Sequence, residues 1–206
     1  MRGPGARRGV RVIAGAAGGR RLQVPPGGRV RPTADRVKEA LFARLGSARL
    51  AGAAVLDLYA GTGSLAIEAL SRGAARAVCV ERDPAALDTI RRNLRAVGLA
   101  DAARVVRDRV ERFVRRQPPA EAPFDLVLCD PPYAVTNAEL GWVLEALRSP
   151  GWLGDDALVV LEREAHSGPP PLPADWEVTW QRAYGDTLVT VADAHAATGA
   201  SAPPRA

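Results

Sequence analysis

Two motifs in the sequence have residue types and spacings that could perform chemistry together. The first, Asp57-Leu-Tyr-Ala-Gly61-Thr-Gly63, follows an apolar run and places two glycines where they permit a tight turn and close backbone approach to a ligand. Glu81 lies 18 residues beyond Gly63, at the end of the next apolar run. A carboxylate at that position can accept hydrogen bonds from both hydroxyls of a ribose. The pair therefore predicts a ligand that contains a nucleoside.

The glycine motif alone does not identify that ligand. Gly61-Thr-Gly63-Ser-Leu-Ala66 also satisfies the dinucleotide fingerprint, so an NAD-dependent oxidoreductase is one alternative. Asp57 favours a ligand with an ammonium group, such as S-adenosyl-L-methionine, because a pyrophosphate would meet an unfavourable carboxylate there. Asp108, at the end of a third apolar run, could accept a hydrogen bond from an adenine amino group. The predicted cofactor-binding residues are Asp57, Tyr59, Gly61, Gly63, Glu81, Arg82 and Asp108.

The second motif, Asp130-Pro131-Pro132-Tyr133, follows a fourth apolar run and indicates methylation of an amine. Two successive prolines fix the backbone and donate no hydrogen bonds, so the neighbouring carbonyls are held as acceptors. Carboxylate and carbonyl oxygens can engage the protons of an exocyclic NH2 and direct its lone pair at a sulfonium methyl, while Tyr133 can stack on an extruded base. All four residues are predicted to be catalytic, mainly by positioning. Strand alternation points the neighbouring Cys129 away from Asp130, which predicts a core residue rather than a nucleophile.

These motifs need a sheet whose strand ends meet at one edge. Apolar runs predict strands at 53–58, 77–81, 104–106, 124–129 and 157–161, and an antiparallel pair at 176–180 and 187–191. Helical spacing and capping residues predict helices that follow Thr33 and that cover 64–71, 83–97, about 110–114 and about 137–147. Strands that alternate with helices predict an α/β fold with a mainly parallel sheet and helices on both faces.

The positive charge is concentrated at the N-terminus. The chain carries a net charge of +5, yet residues 1–38 contain ten basic residues against one acid, Asp35. This asymmetry favours contact with nucleic acid, the alternative being a solubilising or disordered basic tail. We predict a basic arm with a small hairpin at 1–34, a catalytic domain at 35–192 and a disordered tail at 193–206. The predicted contact residues of the arm are Arg11, Arg20, Arg21, Arg29, Arg31 and Arg36.

Several classes of protein are disfavoured by the remaining sequence. No apolar run approaches the roughly 18 to 20 residues that a membrane span needs, so we expect no membrane association. Only two cysteines occur, Cys79 and Cys129, and the two histidines, His166 and His195, have no metal-ligand spacing. The sequence therefore predicts no metal and a cytoplasmic, reducing location.

Four parts of the chain resemble the bacterial enzymes that methylate guanine N2 at position 966 of 16S ribosomal RNA. They are 11–15 with 19–22, 31–42, 55–63 with 69–74, and 124–133, and the likeness extends over about residues 11–191. Many amino-methyltransferases share the glycine and Asp-Pro-Pro-Tyr motifs, whereas the arm that ends in Arg31-Pro-Thr is specific to this family. Arg107-Asp108-Arg109 departs from the family's usual Gly-Asp-Ala, and Ala43 replaces its usual Asn.

The resemblance implies a fold, a cofactor and a substrate. The fold would be a Rossmann-like class I methyltransferase with a mostly parallel seven-stranded sheet, an antiparallel last hairpin and an N-terminal β-hairpin extension. S-adenosyl-L-methionine would be the cofactor, Asp130 and Tyr133 would capture the base, and the arm would contact RNA. The substrate would be guanine N2 of 16S rRNA in an assembling 30S subunit, with the enzyme expected to be a monomer. An adenine-N6 methyltransferase acting on RNA or DNA, and a non-catalytic RNA-binding module, remain alternatives.

Overall fold

A seven-stranded sheet forms the centre of the computed structural model, which describes residues 10–25 and 34–194. Its strands are β1 Ala54–Leu58, β2 Arg76–Glu81, β3 Ala103–Arg107, β4 Phe124–Cys129, β5 Leu153–Glu164, β6 Glu177–Tyr184 and β7 Thr187–Ala194. Their order in the sheet is β3-β2-β1-β4-β5-β7-β6. The first five strands are parallel, whereas β7 is antiparallel to both β5 and β6. The predicted α/β class, the mostly parallel sheet and the antiparallel last hairpin are therefore confirmed.

Within the described ranges, five α-helices accompany the strands. They are α1 Ala34–Leu50, α2 Ser64–Ser71, α3 Pro84–Val97, α4 Val110–Phe113 and α5 Asn137–Ala146. Helix α3 begins where the Asp83 side chain accepts a hydrogen bond from the backbone N–H of Ala86 at 2.8 Å, with Pro84 in its first turn. Helix α5 begins with a capping box between Thr136 and Glu139. Both helices therefore start at a defined point soon after a strand ends.

The side chains of β1 alternate between two core layers. Val55 packs in the layer that contains residues of α1, α2 and α3, whereas Leu56 and Leu58 pack in the layer of α4 and α5. Asp57 shares the direction of Val55, and its carboxylate accepts a hydrogen bond from the backbone N–H of Ala66 in α2 at 3.1 Å. The strand period therefore places this acid between the sheet and α2.

Residues 10–25, which we call the N-terminal segment, form a short hairpin that packs on α2 and α3. The backbone N–H of Val12 donates to Arg20 at 2.9 Å, and that of Leu22 donates to Val10 at 2.7 Å. Val10, Val12, Ala17 and Leu22 are buried in the same core layer as α2. Pairing is limited to one isolated bridge between Arg11 and Arg21. The predicted hairpin thus exists as a compact docked loop rather than as two extended strands.

Two side chains of α2 hold this segment in place. The carboxylate of Glu68 is fully buried and accepts hydrogen bonds from the backbone N–H groups of Ile13 at 2.7 Å and Ala14 at 3.1 Å. Ser71 Oγ accepts a hydrogen bond from Ala17 N at 2.9 Å and donates one to Ala14 O at 2.6 Å. Gly15, at φ +84°, lies so close that an added Cβ would stand 1.8 Å from the carbonyl oxygen of Ser71. The backbone of the N-terminal segment therefore packs directly against α2.

The boundaries of the last strands differ from those expected. Strand β5 begins at Leu153, four residues before the predicted start, because Leu153 also pairs with Phe124 of β4. The polar Asp155 and Asp156 lie in the irregularity between this pair and the regular pairing that begins at Leu158. Strand β7 continues to Ala194, where it pairs with Ala157 at the edge at which the parallel strands begin. The predicted tail at 193–206 therefore starts two residues inside a strand. The predicted helix cap Thr33 and residues 195–206 lie outside the described residues.

Candidate active site

The predicted cofactor-binding residues lie at the carboxyl ends of three adjacent strands. The order β3-β2-β1 brings the ends of these strands side by side. The backbone N–H of Ala60 donates to Val80 O at 3.1 Å, and that of Asp108 donates to Glu81 O at 3.1 Å. The loop after β1, the carboxylate of Glu81 and Asp108 are therefore brought together at one edge of the sheet.

Residues 59–63, which we call the glycine loop, have three left-handed backbone conformations. Tyr59, Gly61 and Gly63 have φ values of 62°, 55° and 75°. An added Cβ on Gly63 would lie 3.1 Å from Cγ2 of Ile90, so the loop passes close to α3. Glycine suits positions 61 and 63 because an L side chain disfavours positive φ, whereas Tyr59 adopts a positive φ despite its side chain. The loop leads directly into the N-terminus of α2.

The carboxylate of Glu81 is held in a fixed orientation at the end of β2. Its Oε2 accepts a hydrogen bond from the backbone N–H of Gly61 at 2.9 Å. Its Oε1 accepts hydrogen bonds from the N–H groups of Arg82 at 2.7 Å and Asp83 at 2.9 Å. The side chain of Arg82 is exposed, so its contribution to this arrangement comes from its backbone. A half-buried carboxylate fixed in this way can still accept hydrogen bonds from a ligand's hydroxyl groups.

Asp57 is a buried acid in an environment that disfavours its negative charge. Burial raises the pKa of Asp57 to about 8, against the lowering effect of the Ala66 hydrogen bond, and the carboxylates of Asp130 and Glu81 raise that pKa further. Three acids that converge at one place favour a ligand with positive charge, since a cation would restore ionised Asp57. This donor set fits the ammonium group of S-adenosylmethionine and disfavours a pyrophosphate.

The Asp108 carboxylate is occupied by groups of its own chain. Its Oδ1 accepts hydrogen bonds from the backbone N–H of Arg109 at 2.9 Å and from Arg112 Nε at 2.5 Å. Arg116 Nη2 forms an ion pair with Oδ2 at 2.8 Å, without the angle of a hydrogen bond. The side chains of Arg107 and Arg109 are exposed instead of packed against Asp108. The proposed contact of this carboxylate with adenine therefore has to compete with two arginines.

The Asp130–Tyr133 loop lies beside the cofactor-binding residues at the point where the strand order reverses. Strands β1 and β4 are neighbours, with Leu58 opposite Cys129, so Asp130 follows at the level of the glycine loop. Pro131 is buried, whereas the ring of Tyr133 is 55% exposed at the surface. A rigid backbone with an accessible ring suits a flat partner that arrives from solvent.

Cys129 is confirmed as a core residue. It is 1% exposed, and burial raises the pKa of its thiol well above the ordinary value, with further contributions from Asp130 and Asp57. The thiol therefore stays protonated at neutral pH, and the nucleophile chemistry of a thiolate is not available to it.

Four polar neighbours of the site were not predicted from the sequence: Glu111, Glu68, Lys38 and Asn93. Glu111 Oε1 accepts a hydrogen bond from the hydroxyl of the predicted residue Tyr59 at 3.4 Å, and burial together with nearby acids raises the pKa of this hydroxyl, which keeps it neutral. Glu68, Lys38 and Asn93 are buried polar residues that bind the N-terminal segment. Their signal in the sequence is a polar residue on the apolar face of a helix, as with Asn93 between Ile90 and Leu94 in α3.

The arginines of the predicted arm have different surroundings. Arg11 Nε lies 3.3 Å from Asp35 Oδ2, and Arg20 Nη1 donates to Ala96 O at 2.8 Å. Arg21 and Arg36 are exposed, whereas Arg29 and Arg31 lie outside the described residues. The described arginines thus remain at the surface of a docked segment, and RNA contact by the arm stays a prediction.

Comparisons with known proteins agree with this geometry. Residues 10–193 match the family model described as "Conserved hypothetical protein 95". The chain is 38% identical over 176 residues to the Escherichia coli K12 protein named "Ribosomal RNA small subunit methyltransferase D", which covers 85% of both chains. The solved structure titled "Putative methyltransferase yhhF from Escherichia coli" aligns with a TM-score of 0.79 and 35% identity, over 91% of this chain and 98% of that one.

A more distant structure carries ligands of the expected kinds. A Thermus thermophilus 16S rRNA N2 G1207 methyltransferase in complex with AdoMet and guanosine aligns with a TM-score of 0.63 and 26% identity. The alignment covers 82% of this chain and 44% of that one.

Among residues 10–25 and 34–194, no helix has the length and apolar character to cross a membrane.

Proposed function

The chain belongs to the Conserved hypothetical protein 95 family and is related along most of its length to ribosomal RNA small subunit methyltransferase D, so we propose that it methylates the exocyclic N2 of a guanine in 16S rRNA. S-adenosyl-L-methionine is the cofactor of this rRNA methyltransferase. We further propose position 966 as the target and an assembling 30S subunit as the substrate. The observation that carries the proposal is the Asp130–Tyr133 loop beside the acidic site formed by Asp57 and Glu81.

Three acids of the sheet edge have proposed roles in binding the cofactor. Asp57 would pair with the ammonium group, since this pairing removes the cost of ionising a buried carboxyl whose pKa is raised to about 8. Glu81, already oriented by the N–H of Gly61, would accept hydrogen bonds from the ribose hydroxyls. Asp108 would accept from the adenine amino group in place of part of its pairing with Arg112.

The Asp130–Tyr133 loop is proposed to hold the base. When bound, the cofactor supplies an electrophilic methyl group on a positively charged sulfur. The carboxylate of Asp130 and a backbone carbonyl of the proline pair would accept the two N–H groups of the guanine amine, which leaves its lone pair directed at the methyl carbon. Tyr133, exposed at the surface, would stack on the base after it leaves its helix. Once it carries the methyl group the nitrogen is cationic and strongly acidic, so it can release one proton to the Asp130 carboxylate or to water, and no strong base is required.

The NAD-dependent alternative is disfavoured by the charges of the site. A dinucleotide would place its pyrophosphate at the N-terminus of α2, close to the buried carboxyl of Asp57. Repulsion there would raise the pKa of Asp57 still further instead of restoring its ionised form. The Asp130–Tyr133 loop suits an exocyclic amine of either guanine or adenine, and the likeness to the 16S rRNA N2 G1207 methyltransferase favours guanine.

The decisive experiment uses tritiated S-adenosylmethionine and 30S particles that lack native methylation, followed by nucleoside analysis of the 16S rRNA. We expect the label in N2-methylguanosine, at one position when the RNA is mapped. Label in N6-methyladenosine would refute the guanine assignment while leaving the methyltransferase site intact. No transfer, despite measured cofactor binding, would refute the proposed substrate.

Two variants control this assay. Asp130→Ala should give no label, because the amine loses its carboxylate acceptor. Asp155→Ala changes an exposed acid near the opposite edge of the sheet and should transfer label at the wild-type rate. Equal loss in both variants would mean that the effect is not specific to the Asp130–Tyr133 loop.

A further inference from the structure

One buried amide connects the N-terminal segment to the glycine loop. Asn93 lies on α3, 1% exposed, and its Oδ1 accepts a hydrogen bond from the backbone N–H of Gln23 at 2.8 Å. Its Nδ2 donates to Gln23 O at 3.0 Å and to Thr62 O at 2.9 Å. Both amide hydrogens are therefore used, one for the N-terminal segment and one for the centre of the glycine loop.

The hydrogen bond from Asn93 to Thr62 O holds a carbonyl at the centre of the glycine loop. Thr62 lies between Gly61 and Gly63, two residues at positive φ that leave the backbone of the loop free to choose other conformations. Gly61 N is held by Glu81, and Gly63 N donates to Ala60 O at 2.7 Å. Asn93 adds the contact that fixes the carbonyl between these two N–H groups.

A second buried side chain makes a parallel connection. Lys38 of α1 donates from Nζ to Arg11 O at 2.5 Å, in the N-terminal segment, and to Ser64 Oγ at 2.8 Å. Ser64 is the first residue of α2, directly after the glycine loop. The segment and the loop are therefore joined at two points, one on either side of Gly63.

We propose that Asn93 is a positioning residue that couples docking of the N-terminal segment to the conformation of the glycine loop, so that cofactor binding and docking strengthen each other. When the N-terminal segment separates from α2 and α3, Asn93 loses both hydrogen bonds to Gln23, and its side-chain amide is free to rotate away from Thr62. The two effects are reciprocal, because each site changes the other by the same coupling free energy. The inference rests on the proposed function, since the cofactor is the ligand that the glycine loop holds.

The first test measures S-adenosylmethionine affinity by calorimetry in the full chain, without RNA. Asn93→Ala should weaken binding roughly tenfold, the loss of about one buried hydrogen bond and of loop order. Thr89→Val is the matched control, because Thr89 is equally buried one turn earlier and its hydroxyl bonds only within α3. Wild-type affinity in Asn93→Ala, or an equal loss in Thr89→Val, would overturn the proposal.

A double-mutant cycle tests the coupling directly. Gly15→Ala undocks the segment through its clash with the carbonyl of Ser71, at a position distant from the glycine loop. It should weaken cofactor binding in the wild-type background and weaken it less in the Asn93→Ala background, where the connection is already broken. Strictly additive effects would contradict a role for Asn93 in the coupling.

Hydrogen exchange provides a test that needs no variant. Saturating S-adenosylmethionine should slow the exchange of the backbone amides of Val12, Leu22 and Gln23, which are hydrogen-bonded when the segment is docked. Unchanged exchange of these amides in the saturated protein would overturn the proposal. If the wild-type protein binds no S-adenosylmethionine at all, the proposed function fails and the coupling fails with it.

Discussion

Binding of S-adenosylmethionine should release about one proton from Asp57. With its pKa at about 8, this carboxyl is roughly 97% protonated at pH 6.5 in the free protein. An ammonium group beside it returns the pKa towards the ordinary carboxyl range, so Asp57 is ionised in the complex. At pH 6.5 the ligand's own amino group, with an ordinary pKa of about 7.7 to 8.0, is already mostly protonated and takes up little.

The proton count comes from calorimetry in two buffers that differ in ionisation enthalpy. The observed binding enthalpy should change by about one buffer ionisation enthalpy per mole of ligand. Affinity should rise about tenfold per pH unit well below pH 8, reach a maximum near pH 8 and fall above it, because the pair needs both an ionised Asp57 carboxylate and a protonated ligand amine. Asp57→Asn should release almost no proton and bind weakly, whereas Asp83→Asn, which keeps a helix-capping side chain, should release as much as the wild type.

The Asp57 carboxyl also makes the free energy of unfolding of the cofactor-free protein depend on pH. The folded state holds the Asp57 proton up to about pH 8, while the unfolded chain loses it near pH 4, so between these values the folded state binds more protons. Unfolding free energy should therefore fall by about 1.4 kcal/mol per pH unit across that window from this group alone, and Asp57→Asn should remove that fall. A wild-type protein that releases no proton on binding would refute the electrostatic reasoning for Asp57.

Three further predictions follow from the contacts described. Asp130→Ala should abolish methyl transfer while leaving calorimetric S-adenosylmethionine affinity unchanged or slightly tighter; retained turnover would contradict its role with the base. Glu68→Gln should lower the free energy of unfolding, measured in urea, by about 3 kcal/mol, because the buried Glu68 carboxylate binds two backbone N–H groups and a guanidinium. A loss below about 1 kcal/mol would argue against the role of Glu68 in holding the N-terminal segment. Changing Arg20 and Arg21 together to Gln should reduce the slope of log affinity for rRNA against log salt by up to about 2, and an unaltered slope would mean that neither contacts phosphate.

The position of the acidic site could be predicted because local sequence determined it. Apolar runs define where β1, β2 and β4 end, and parallel strands bring their carboxyl ends to one edge. Asp57, Glu81 and Asp130 each follow or end such a run, so their meeting required only the strand order. The start of β5 was missed because Asp155 and Asp156 interrupt the apolar pattern of a strand that continues through them.

The contacts that hold the site together could not be predicted because their partners are distant in the chain. Asn93 bonds to Gln23 across 70 residues, and Glu68 bonds to Ile13 across 55. No local period identifies such pairs; a polar residue on a buried face shows only that some partner exists. Arg112 lies only four residues beyond Asp108, so helical spacing allowed their ion pair, but it did not show whether Asp108 would bind Arg112 or a ligand.

The pairing of Ala194 with Ala157 indicates where a reporter or tag can be attached without approaching the catalytic edge. Because β7 runs against the parallel strands, the described chain leaves the domain at the edge where those strands begin, whereas Asp57, Glu81 and Asp130 lie at the edge where they end. A fluorescent reporter, an affinity tag or a surface anchor joined directly to Ala194 would therefore start at the edge opposite the catalytic one. Single-molecule or biosensor measurements with ribosomal particles are best built from an attachment at Ala194, with the N-terminal segment left unmodified.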